Sequence, residues 1–102
     1  MDQTKLLQQQ VNIQELRITG TLMTLGRARD NDITINDKSV SAHHAKIITY
    51  FNTSYIEDLG STNGILLNGS PVHKHIIHDG DEIQIGSYLF IISKDPPAFF
   101  SR

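Results

Sequence analysis

From Asn12 onward the apolar residues come in short runs, none of which keeps a helical period. "NIQELRI" carries Ile13, Leu16 and Ile18, and Thr19-Gly20 then turns the chain into "TLMTLG". "DITI" sets Ile33 and Ile35 on one face of an extended segment. "AKIITYF" and "SYIEDL" are rich in β-branched and aromatic residues, with turn-prone Asn52-Thr53 between them. "ILLNGSPV" holds Asn68-Gly69, the strongest short hairpin signal, because both residues accept the left-handed conformation that a two-residue turn demands. "HDGDEIQIG" turns at Asp79-Gly80 into Ile83 and Ile85. "SYLFIIS" is apolar on both faces and reads as a central strand. Pro71 lies beside a turn, where its missing N–H costs little, and Pro96-Pro97 ends the last strand. The pattern predicts an all-β sandwich or barrel.

The first ten residues are polar and glutamine-rich and read as a flexible N-terminal arm over 1–10, with Leu6 and Leu7 as docking points. Residues 11–95 form the domain, and 96–102 are a C-terminal tail or the start of a linker. Phe99 and Phe100 in that tail either fold back onto the sandwich or form a binding patch.

With 102 residues the chain suits one domain, and 38% hydrophobic against 20% charged residues is ordinary globular composition. A core this small predicts modest stability. The net charge of −2 and the lack of any Lys/Arg run argue against a nucleic-acid partner. Without cysteine there are no disulfides, thiolate metal sites or cysteine nucleophiles. No apolar run reaches the ~18 residues of a membrane helix, and no signal-peptide pattern opens the chain, so the expectation is a cytoplasmic protein.

The chemistry concentrates in three loops. "LGRARDNDI" puts Arg27 directly after Gly26, a glycine expected to adopt a backbone conformation closed to other residues. "SVSAHHAKI" carries Ser41, Ala42, His43 and His44. "DLGSTNG" sets Ser61, Thr62 and Asn63 between two glycines. A guanidinium fork, hydroxyls, an amide and glycine-exposed backbone N–H groups together suit an oxyanion. The neighbouring acids Asp30, Asp32 and Asp58 are expected to cap turns.

Two other chemistries compete for these residues. Ser41 and His44 have the types of a nucleophile and its base, but no G-x-S-x-G elbow is present and no acid has an evident place behind either histidine. His73, His75 and His78 in "HKHIIH" could ligate zinc or nickel, yet they lack a full metal-site spacing and equally fit an exposed edge strand and loop.

"LGRARDNDITINDKSVSAHHAKI", "EDLGSTNGILLNGSPV" and "DGDEIQIGSYLF" together resemble the forkhead-associated (FHA) domain, in the family's order and spacing from about Leu25 to Phe90. The resemblance implies a β-sandwich of about eleven strands with the ligand-binding loops at one end. It implies a phosphopeptide-binding signalling module that recognises phosphothreonine in partner proteins, downstream of a Ser/Thr kinase, and is not an enzyme. Arg27, Ser41, Thr62 and Asn63 match the phosphothreonine-binding positions. His43, Ala42 and Ser61 fall at secondary contacts, and Gly26, His44 and Gly64 at site-supporting positions. No cofactor is implied. Many family members carry Lys, Arg or Asn where this chain has Ala42 and His43, so fixed positive charge is thinner here. A histidine beside a phosphate dianion would instead supply charge as pH falls. An interaction scaffold independent of phosphate is the alternative reading, with a histidine-based metal-binding domain behind it.

Overall fold

The structure, a computed structural model, describes residues 11–95. The expectations for Leu6, Leu7, Pro96, Pro97, Phe99 and Phe100 lie outside the described residues. Ten strands follow one another: β1 Asn12–Arg17, β2 Leu22–Gly26, β3 Ile33–Thr34, β4 Ala45–Tyr50, β5 Thr53–Asp58, β6 Ile65–Leu67, β7 Ser70–Val72, β8 Lys74–Ile77, β9 Glu82–Ile85 and β10 Tyr88–Ser93. They form two five-stranded sheets, β1-β10-β9-β6-β7 and β3-β2-β4-β5-β8, so the fold is the expected all-β sandwich. Ten strands stand where about eleven were expected. The stretch between β3 and β4 forms no strand of its own: it turns on Val40 N–H to Asp37 O at 3.0 Å and then bonds the chain beyond β2.

Period-two alternation builds the core. Ala45 and Ile47 of β4, Ile56 of β5, Ile65 and Leu67 of β6, Ile83 and Ile85 of β9, and Phe90 and Ile92 of β10 all point inward and are buried. Ser54 is buried among them and bonds Thr49 Oγ1 through its hydroxyl at 2.8 Å, so its polarity is satisfied. Asn68-Gly69 is a two-residue turn with φ of 50° and 86°, and it joins β6 to β7 as its sequence requires. Pro71 sits in the edge strand β7, where its missing donor interrupts no inner ladder.

Two local expectations shift. β10 is internal, paired parallel to β1 and antiparallel to β9, but only its Phe90 and Ile92 are buried, while Ile91 opens outward. Its place therefore comes from pairing, not from cover on both faces. The β4–β5 turn is Phe51-Asn52 rather than Asn52-Thr53, because Thr53 pairs with Tyr50.

Candidate functional site

β2 and β4 are antiparallel neighbours, and their ladder runs on past Gly26 into two loops. Arg27 N–H donates to Ser41 O at 2.9 Å and Ala28 N–H to Ala42 O at 3.1 Å. The approach is so close that a Cβ on Gly26 would stand 2.2 Å from the Ala42 carbonyl oxygen. Gly26 is thus required for proximity. Its φ is not positive, which corrects the expectation of a special backbone conformation. Buried Asn31 secures the same crossing, its amide donating to Ala28 O at 2.7 Å and to Ala42 O at 2.8 Å.

His44 ties this pair of loops to the third. Its ring is fully buried. Nδ1 accepts from Ser41 N–H at 3.0 Å, and Nε2 lies 2.8 Å from the Gly64 carbonyl. That pattern requires a neutral ring with its proton on Nε2. Thr62 N–H donates to Ser41 Oγ at 3.2 Å, and Asn63 Nδ2 donates to Ser39 O at 2.8 Å. Gly64 has φ +76° with open space around it, so conformation and not contact selects glycine there. Ser61 is turned inward: its hydroxyl bonds Asp58 and accepts from Gly64 N–H at 2.9 Å.

The result is an open groove of ≈ 340 Å³ lined by Arg27, Lys38, Ser39, Val40, Ser41, Ala42, Thr62 and Asn63. Arg27 Nε donates to Val40 O at 2.9 Å, which leaves the terminal guanidinium nitrogens for a ligand. The Ser41 hydroxyl already accepts one bond, so its own proton is available to an oxyanion. No acid lines the groove, and neither Arg27 nor Lys38 forms an ion pair among the described residues.

All four residues expected to bind phosphothreonine line this groove, together with Ala42. His43 and Ser61 do not. His43 Nε2 is held 2.9 Å from Asp30 Oδ1, which corrects both the turn-capping expected of Asp30 and the expected lack of an acid behind the histidines. Asp58 also lies 4.0 Å from His44 Nε2, besides capping its own turn through Ser61 N–H at 3.1 Å. Asp32 bonds Thr24 N–H at 2.9 Å across to β2.

Three contributors escaped the sequence reading of roles. They are Lys38, which lines the groove, Asn31, which secures the crossing of the first two loops, and Asp37. Asp37 accepts from Ser39 N–H (2.8 Å) and Oγ (2.7 Å) and from Ser87 N–H (2.8 Å) and Oγ (2.6 Å). The Ser87 and Ser39 hydroxyls, then their backbone N–H groups, hold its carboxyl well below the usual carboxylate range. Asp37 thereby pins the Ser39 loop to the β9–β10 turn. The alternation of Asp and Ser in "NDKSVS" is the one trace of this, and it does not reveal the distant Ser87.

The rival chemistries lose their geometry. Both His44 nitrogens are engaged with backbone, and Nδ1 meets the Ser41 N–H rather than its hydroxyl. Among the described residues no group of three His, Cys, Asp or Glu side chains is placed to hold a metal. His75 and His78 instead bond Ile76 O and face Asp81.

The FHA domain model matches residues 23–86. The chain is 35% identical over 75 residues to the glycogen accumulation regulator GarA of Mycobacterium tuberculosis, covering 74% of this chain and 46% of that protein. It is 40% identical over 75 residues to an ABC transporter ATP-binding/permease protein of the same organism, covering 70% of this chain and 9% of that one. The chain therefore spans less than half the length of these curated relatives. Among solved structures, M. tuberculosis EmbR in complex with a low affinity phosphopeptide superposes with a TM-score of 0.71 at 32% identity, over 78% of this chain and 22% of that one. The FhaA FHA domain, complexed with the intracellular domain of a second protein, gives 0.66 at 30% identity, over 71% and 79%. With its sandwich, its three converging loops and a family match over most of the domain, the chain belongs to the forkhead-associated domain family.

Proposed function

We propose that the groove binds phosphothreonine in a partner protein and that the domain is a binding module in kinase signalling, not an enzyme. The observation that carries this is the donor set. Arg27, Ser41, Thr62, Asn63 and Lys38 line one open groove that contains no acid. An arginine fork, a second fixed cation and free hydroxyl protons match a phosphate dianion. Ala42 and His43 do not add the cation often found there, and Lys38 supplies it from the other side of the loop. Asn63 has its Oδ1 and a second amide proton left to bond a peptide backbone. Gly26, Asn31, His44 and Gly64 hold the loops in place beneath these groups. His44 is not placed to act as a base for the Ser41 hydroxyl, since both its nitrogens are committed to backbone groups. The absence of cysteine suits the cytoplasm, where a Ser/Thr kinase would make the ligand. Residues 11–95 are the folded binding unit in this reading.

The test is titration with a degenerate phosphothreonine peptide library and matched phosphoserine and unphosphorylated libraries. Wild type should bind only the phosphorylated pools. Arg27→Ala, which stays folded because the side chain is exposed, should lose about 10–100-fold in affinity, the worth of charge-assisted hydrogen bonds. Equal binding to phosphorylated and unphosphorylated pools would overturn the reading.

A further inference from the structure

β8 is an outer strand of its sheet and, among the described residues, pairs with β5 alone. The ladder shows which of its backbone groups are in use. Asp58 N–H donates to His73 O at 2.7 Å. Antiparallel pairs alternate, so His73, His75 and Ile77 turn their backbone groups toward β5, and Lys74 and Ile76 turn theirs to the open side. Residues 73–76 are all exposed. On that open side the Ile76 carbonyl meets only the ring of its own neighbour, with His75 Nδ1 at 2.7 Å. The other sheet edges are guarded differently: β7 carries Pro71, β3 has two residues, and β1 carries charges of both signs, Glu15 and Arg17.

A mostly apolar cleft of ≈ 380 Å³ opens along this strand, lined by Tyr55, Lys74, His75 and Ile76. Tyr55 and Ile76 are partners across the ladder, and Lys74 Nζ lies 5.8 Å from the centre of the Tyr55 ring. Leu22, Ile48, Tyr55 and Ile76 stand in register, so the cleft ends an apolar row on the outer face of the sheet. The ionisable side chains along the edge, His73, Lys74 and His75, are all basic. Lys74 forms no ion pair among the described residues, and Glu57, opposite it on β5, lies 3.9 Å from Lys46. Open N–H and C=O groups at strand spacing call for an extended backbone, the cleft for an apolar side chain, and the basic residues for carboxylates. A second copy on this edge would set like charges against one another, which argues against self-pairing.

We propose that the β8 edge is a binding surface separate from the groove, which adds an extended, acidic partner segment as a further strand and seats one of its apolar side chains in the cleft beside Tyr55 and Ile76. NMR titration of the full chain tests it with a defined probe, a blocked hexapeptide alternating glutamate and valine, beside its lysine–valine counterpart. The glutamate peptide should shift the Lys74 and Ile76 amide resonances and slow their hydrogen exchange, and the lysine peptide should bind about tenfold more weakly. N-methylation of the glutamate peptide's amides removes its backbone donors and should abolish binding. Ile76→Pro deletes an outward N–H without touching the β5 ladder and should cost about tenfold in affinity. Lys74→Glu should reverse the preference between the two peptides. Phosphothreonine-peptide affinity should be the same in both variants as in wild type, so this proposal and the phosphate reading fail separately. Equal binding of the two peptides, retained binding of the N-methylated one, shifts that avoid β8, or no binding at millimolar peptide would overturn the proposal. So would shifts at Lys74 and Ile76 that follow protein concentration without peptide, which would assign the edge to a second copy.

Discussion

Gly26 shows how one missing methyl group can govern a binding site. The carbonyl of Ala42 occupies the space where its Cβ would stand, and the Asn31 amide lies 2.9 Å from the same point. Gly26→Ala must push the serine loop away from β2, because the Ala42 main-chain carbonyl fills the space on one side and the Asn31 amide, tied by two hydrogen bonds, limits the other. Overpacking of this kind costs about 1–3 kcal/mol, so Tm should fall measurably by calorimetry and phosphopeptide affinity should fall with it. His43 gives the opposite lesson. Its type and position next to the buried His44 fit a pH-dependent phosphate contact, but its ring faces Asp30 outside the groove. His43→Ala should change phosphopeptide affinity by less than about twofold, the scale of an exposed ion pair, at both pH 6 and pH 8. A loss confined to pH 6 in parallel titrations would restore the charge-switching role.

At the scale of elements, turn chemistry fixes register. Asn68 and Gly69 both adopt positive φ, and Asn68 ties the turn to the neighbouring segment: its amide donates to Asp81, its Oδ1 accepts from Glu82 N–H and its own N–H donates to Glu82 O. Gly69→Val places a β-branched residue in the left-handed region at a cost of about 1–2 kcal/mol. The urea midpoint should drop accordingly, while the phosphate groove, built from other loops, keeps its affinity. Asp81 belongs to the same corner. Burial raises its carboxyl, but bonds from Asn68 and His78 and the charge of His78 together bring it below the ordinary value. The Phe51-Asn52 turn is the contrasting element, with a residue type that opposes its geometry, since Phe51 takes φ 48° where glycine is the usual residue.

At the scale of the whole molecule, the two depressed carboxylates set the response to acid. Asp37 bridges a loop of the site to the β9–β10 turn of the opposite sheet, so its ionised form stabilises the assembled domain. A carboxyl whose folded pKa is lowered contributes fully above its unfolded value of about 4 and loses that contribution as pH falls through the folded value. Stability should therefore decline from about pH 4 downward, and Asp37→Asn should flatten that decline while lowering stability near neutrality. Thermal melts of both proteins between pH 2 and 7 give the comparison. An identical acid slope in the variant would remove Asp37 from this account.

Much of this protein was legible along the chain because the signals are local. Alternating apolar residues give strands, Asn-Gly and Asp-Gly give turns, and Arg27, Ser41, Thr62 and Asn63 stand at spacings that identify the family's loops. Those features depend on period, backbone preference and residue type, all of which a sequence states outright. What the tertiary structure alone decided is which groups meet. Lys38 joins the groove while Lys46 pairs with Glu57, and no property of either lysine foretold that. Asp30 went to His43, Asp37 to Ser87 fifty residues away, and Gly26 proved necessary for a neighbour's carbonyl rather than for its own φ. These outcomes follow from how two sheets and three loops close on one another, where contact distances a few tenths of an ångström apart decide partners. A linear pattern holds the candidates for such contacts but not the distances that choose among them.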